Sequence, residues 1–194
     1  AVDLSGFFGD PHYQDKLEAL AAAGKQDTPK YSKLISELEQ RRESRKEKPM
    51  ELALDMIRRL AEVAGEKNLL LGIENREALE EIPFESDFGF FFKEFDSPTV
   101  RYWHDTGHAQ IKEHLGFLHH VTHLGTLSDR HGGWHIHDVE FPGKDHREPG
   151  TGVIDFAALK PFVKPEHIKV IELNPNVPVD DVKKGHDYIR SVWG

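Results

Sequence analysis

Arg101–Asp155 reads RYWHDTGHAQIKEHLGFLHHVTHLGTLSDRHGGWHIHDVEFPGKDHREPGTGVID, and the reading of the whole chain turns on it. Ten of the 13 histidines fall between His104 and His146, with aspartates interleaved. Two segments, Trp103-His-Asp-Thr-Gly-His108 and Trp134-His-Ile-His-Asp138, put imidazole and carboxylate at the ends of apolar runs. Separate strands assemble a divalent metal site in this way. The intervening histidines His114, His119, His120 and His123 fit a helix exposed to solvent, and the stretch 109–127 is read as one helix.

Outward from this stretch the pattern alternates. Leu69-Leu-Leu-Gly-Ile73 is an uninterrupted apolar run ending at Glu74, and Ile168-Lys-Val-Ile171 is another ending at Glu172. Such runs suit strands buried on both faces of a parallel sheet. Val100–Trp103 ends at Asp105, Gly133–Ile136 ends near His137 and Asp138, and Ala1–Gly6 reads as a short first strand. Helical material follows each strand. Leu52, Met56, Leu60 and Val63 recur at helical spacing after Pro49, and 179–193 is the last helix. The β/α repeat predicts an α/β fold with its charged strand ends on one rim, where barrel enzymes carry their sites. Five strands do not close an eight-stranded barrel, so the expectation is a partial barrel of about five of eight βα units. The expected organisation is one partial domain over 1–194, with a helical insertion at about 7–48.

Composition narrows the function classes. A length of 194 residues suffices for a substantial core, and no apolar run approaches the roughly 20 residues of a membrane-spanning helix. The net charge of −9 opposes nonspecific binding to nucleic acid. The run RRESRKEK at 41–48 has mixed signs and reads as a solvated helix face. There is no cysteine, so any metal must be held by His, Asp, Glu or water. The expected location is cytoplasmic, and Ala1 is not a start methionine.

The strand-end residues Glu74, Asp105, His135 and Glu172 form an oxygen-rich set suited to one divalent ion: Mn2+ first, with Mg2+, Co2+ or Zn2+ as alternatives. His108 follows Asp105 across Thr106-Gly107, where the glycine is read as permitting a tight turn that brings His108 over the rim. His137 lies two residues from His135, and His146 sits in the polar loop before Gly150-Thr-Gly152. These three are the candidate substrate-binding residues.

In order, Ile73-Glu-Asn-Arg76, Asp105-Thr-Gly-His108, His135-Ile-His-Asp138, Gly150-Thr-Gly152 with Asp155, and Ile171-Glu-Leu-Asn-Pro175 resemble the xylose-isomerase-like TIM barrel superfamily. The resemblance covers about 69–172, and 1–6 loosely as the fourth strand. It implies that Glu74, Asp105, His135 and Glu172 ligate one metal, and that Glu74 and Glu172 also exchange protons with a keto sugar or polyol through a metal-stabilised enediolate. His108 matches a substrate-contacting or second-metal histidine, and His146 a third-metal position of the endonuclease branch. Leu4-Ser5-Gly6 departs from that branch's histidine-bearing turn, which disfavours a three-zinc phosphodiesterase. The expected activity is therefore a metal-dependent sugar isomerase or epimerase, with homo-oligomerisation allowed. The alternatives are an inosose-dehydratase-like or phosphodiesterase-like enzyme on the same site and a non-catalytic barrel fragment.

Overall fold

Pro29 at the first position and Thr28 before it start a helix by rule: the Thr28 hydroxyl accepts from the Tyr31 amide at 3.3 Å. That helix belongs to the first of two compact units, Ala1–Arg101 and Tyr102–Gly194, in a computed structural model that describes residues 2–3 and 12–194. The first unit runs β1 (Val2–Asp3), α1 (Tyr13–Ala22), α2 (Pro29–Arg45), α3 (Glu47–Glu66), β2 (Leu71–Glu74), β3 (Glu81–Ile82) and α4 (Phe88–Glu94).

His12 gives α1 no side-chain cap. The Glu80 carboxylate accepts from the Tyr13 and Gln14 amides instead, at 2.8 and 3.4 Å. Gln14 in turn accepts from the Leu79 amide at 2.9 Å, which ties the segment after β2 to α1. Leu17, Tyr31, Leu38, Met50 and Leu54 are buried along the three helices. Arg42 is buried over the Phe84 ring, 3.6 Å from its centroid, with Asp87 at 3.9 Å. A desolvated guanidinium held by an aromatic face and a carboxylate satisfies the rule that buried charge must be paired.

One sequence expectation gains a detail here and two change. The stripe Leu52, Met56, Leu60 and Val63 is helical but exposed, because the buried face of α3 carries Met50, Leu54 and Ala64. β2 begins at Leu71, where its amide donates to the Thr99 carbonyl at 2.8 Å, and is only half-buried; Leu69 and Leu70 are exposed. Val2 and Asp3 pair antiparallel with Ile82 and Glu81 instead of joining a parallel sheet. The rest of the expected first strand, including Leu4-Ser5-Gly6, lies outside the described residues.

The second unit begins within β4 (Val100–Asp105) and continues through α5 (Thr106–His114), α6 (His120–Thr126), β5 (His131–Ile136), β6 (Asp138–Glu140), β7 (Lys144–Arg147), α7 (Phe156–Leu159), β8 (Ile168–Ile171) and α8 (Val179–Trp193). β4, β5 and β8 are parallel neighbours in that order, with Asp105 opposite His135 and Ile136 opposite Ile171. Trp134 is fully buried, donates from Nε1 to His167 at 3.1 Å and packs on Trp193 with centroids 4.9 Å apart. β8 departs from the buried-on-both-faces expectation, since Ile168 and Val170 are exposed.

The helix read over 109–127 is two helices, broken at Gly116 with φ of 81°. The break turns His120 inward, where it is 2% exposed. It joins a directed hydrogen-bond chain. The Gln110 amide group donates to Glu113 at 3.0 Å, so its oxygen accepts from His120 Nδ1 at 3.1 Å. His120 Nε2 then accepts from His104 Nε2, and His104 Nδ1 accepts from the Tyr102 hydroxyl at 2.8 Å. The surface-helix reading of His120 and His123 therefore gives way to a core network, because polar groups buried in a sheet–helix layer must find partners. The polar loop after Asp138 likewise contains an antiparallel hairpin, β6 with β7. Among the described residues, no helix is long and apolar enough to cross a membrane.

Candidate metal centre

The parallel register sets the site. Asp105 closes β4, His135 lies one residue before the end of β5, and Glu172 directly follows β8, its amide donating to the Ile136 carbonyl at 3.1 Å. One donor atom from each of the three lies within 4.8 Å of the others. His135 Nδ1 stands 2.9 Å from Glu172 Oε2 and 3.8 Å from Asp105 Oδ2. Two carboxylates and an imidazole at this spacing fit a hard or borderline divalent ion.

Asp105 is fully buried and remains ionised. Burial works to raise its pKa, but His108, the hydrogen bond from His137 and the His108 amide outweigh it and hold the carboxyl well below the usual carboxylate range. Its Oδ1 caps α5 by accepting from the His108 amide at 2.9 Å. His108 Nδ1 is 3.6 Å from the same oxygen.

Trp103 meets the His135 ring edge-on, with centroids 5.2 Å apart. It can lie there because Gly133, its register partner on β5, has no side chain: a Cβ at 133 would fall inside the indole. Gly107 has the same role on the other side. It lies within α5, and a Cβ there would enter the His137 ring, so its value is the space it leaves and the tight turn expected of it is absent.

His137 is placed differently from expectation, and His146 lies on β7 instead of in a loop. His137 is fully buried, with both ring nitrogens engaged inside the protein, which leaves none for a substrate. His146 has φ of 51° and stacks on His137, with centroids 4.2 Å apart and planes within 9°. The adjacent Asp145 carboxylate, 3.0 Å from its Nδ1, pushes its pKa up to about 9. The ring is thus a cation near neutral pH.

Glu74 ends β2 in the first unit, where the Arg76 guanidinium donates to it at 2.9 Å and also approaches Glu81 at 3.4 Å.

The sequence places Asp138 at the strand end without giving it a role. It is fully buried and accepts from four backbone amides: Val139 and Ile154 on Oδ1, Gly150 and Gly152 on Oδ2, at 2.9 to 3.0 Å. A single carboxylate thereby folds the loop 149–154 against β6. A Cβ on Gly152 would collide with that carboxylate, so the Gly-Thr-Gly signal and the aspartate belong to one device.

A comparison with curated proteins by sequence found no match. Among solved structures, the chain is similar to 3-keto-D-glucoside 4-epimerase from E. coli (18% identity, TM-score 0.58), covering 98% of this chain and 76% of that one. It is similar to a D-psicose 3-epimerase from Clostridium cellulolyticum H10 (16%, TM-score 0.57, covering 98% and 74%). A putative xylose isomerase from Rhodospirillum rubrum gives 20% and a TM-score of 0.62, covering 77% and 55%. The chain spans about half the length of several further epimerase structures that it matches, for example 52% and 55%. At these identities the likeness is one of fold. The family described as xylose isomerase-like TIM barrel matches residues 13–192, nearly the whole sequence, and the chain belongs to that family.

Proposed function

We propose that the chain is the metal-binding portion of a divalent-metal-dependent sugar epimerase or isomerase acting on a keto sugar or related polyol. The observation that carries this reading is the convergence of Asp105, His135 and Glu172 from three parallel strand ends. Their side chains would hold the ion, with Mn2+ the first choice for an oxygen-rich set. Glu74 is assigned as the fourth ligand by the sequence resemblance alone. The solved structures similar in fold include sugar epimerases, which supports a small carbohydrate substrate.

The bound ion would polarise a substrate carbonyl and the neighbouring hydroxyl, making the intervening C–H more acidic. The protein's part is to move that proton. Glu172 is suited to it, because its side chain is 43% exposed at the rim while His135 holds one of its oxygens at 2.9 Å. A carboxylate so fixed can take a proton from one face of a substrate carbon. The sequence resemblance alone assigns the second proton exchange to Glu74. The imidazolium of His146 is the cationic side chain beside this edge, suited to a substrate hydroxyl or developing negative charge.

The test is solvent exchange. With Mn2+ and a panel of 2-keto sugars in deuterated water, the wild-type chain should introduce deuterium at the carbon beside the carbonyl. Glu172→Gln should stop this while keeping the circular dichroism of the parent. Exchange by that variant at the wild-type rate would overturn the mechanism.

A further inference from the structure

His108, His137 and His146 bring one ring nitrogen each within 4.8 Å of the others, which by spacing alone looks like a second metal site. The hydrogen bonds assign the trio another role. His137 Nδ1 accepts from the His146 backbone amide at 2.9 Å, so the neutral ring carries its proton on Nε2. That proton points at Asp105, with Nε2 standing 2.9 Å from Oδ1 and 3.1 Å from Oδ2. The only lone pair of the ring is already used by the amide, and none remains for an ion.

We propose that His137 is a positioning residue that fixes the Asp105 carboxylate for metal binding; this rests on the metal-dependent reading above. Everything around His137 serves to hold it still. The Thr106 hydroxyl donates to the His137 carbonyl at 2.7 Å and accepts from its amide at 3.1 Å, fastening the β5–β6 junction to the start of α5. Gly107 leaves the volume that the ring fills. His146 covers the other face in a parallel stack, and the left-handed backbone at His146 aims its amide at Nδ1. The His108 amide donates to Oδ1 and His137 Nε2 reaches both oxygens, which fixes the carboxylate in the orientation that directs Oδ2 towards His135. Groups that orient a ligand in this way control metal affinity nearly as strongly as the ligands.

The experiment measures Mn2+ affinity of the full chain by electron paramagnetic resonance of the free ion, with unfolding midpoints measured alongside. His137→Leu should weaken Mn2+ binding about 10- to 100-fold, the usual effect of removing an orienting partner. His137→Gln, which can still donate an N–H to Asp105, should restore most of that affinity at a similar unfolding midpoint. Unchanged affinity in His137→Leu, or equal loss in both variants, would overturn the proposal. A wild-type chain that binds no Mn2+ would overturn the metal-dependent reading and this one together. Nitrogen-15 spectra of the wild-type histidines give an answer that needs no variant. They should show His137 as the neutral Nε2–H form, with its Nδ1 shift unmoved when diamagnetic Zn2+ is added. A metal-induced shift at His137 Nδ1 would make it a ligand and overturn its positioning role.

Discussion

His104 and His120 face each other through their Nε2 atoms, 2.9 Å apart and both buried. Only one of the two can carry the shared proton. The direction is set from outside the pair: Gln110 takes the His120 Nδ1 proton, and the Tyr102 hydroxyl supplies His104 Nδ1. Adding a second proton would place two N–H groups against each other in a desolvated layer.

Stability should therefore fall in mild acid. Burial lowers the pKa of His120 to about 4 and that of His131 to about 3, with neighbouring histidines adding to the effect. A histidine whose folded pKa is depressed binds fewer protons folded than unfolded. Its contribution is complete above about pH 6.5, where the unfolded ring is neutral, and is lost as pH falls towards the folded value. Each such group costs up to about 1.4 kcal/mol per pH unit in that window. Urea midpoints measured from pH 7.5 to 5 should fall steadily, and a flat profile would contradict the neutral network.

Asp138→Asn should destabilise the second unit. The substitution swaps one acceptor oxygen for an amide group facing backbone N–H donors, with four amides at stake. Hydrogen bonds to a charged acceptor are the strong ones, and the loss should be roughly 3 kcal/mol. Chemical denaturation would measure it. Limited proteolysis should also show faster cleavage within 149–154, since the same carboxylate holds that loop.

The strand ends were readable in the sequence because a charged residue closing a buried apolar run needs a reason. Asp105, His135 and Glu172 met that test and come together in the structure. His120 and His137 were misread because spacing along the chain carries no information about a helix break at Gly116 or about which acceptor lies across the sheet. Asp138 hid in plain view as one more residue of a His-Ile-His-Asp string, three of its four partners 12 to 16 residues away. The exposure of Leu52, Met56, Leu60 and Val63 was likewise illegible, since helical periodicity reports an apolar face and not what covers it.

Gly133→Ala should disturb the site from behind. The added methyl would occupy the space of the Trp103 indole, which must then shift away from its edge contact with His135. Overpacking of this kind costs about 2 kcal/mol. The expected result is a lower unfolding midpoint together with weaker Mn2+ binding. A drop in stability with unchanged metal affinity would show that Trp103 packs against His135 without orienting it.

Metal should stabilise the chain, and Asp105 decides whether it does. A ligand that binds only the folded state adds about 2.7 kcal/mol at 100 times its dissociation constant. Thermal unfolding of the wild-type chain should move upward on titration with Mn2+. Asp105→Asn keeps the shape and one oxygen but removes the charge that holds the ion. It also leaves the His108 amide and the His137 ring N–H without their carboxylate acceptor. That variant should start less stable than the parent and gain nothing from Mn2+ at concentrations that saturate the wild type. An equal upward shift in both proteins would place the bound ion somewhere other than the ends of β4, β5 and β8.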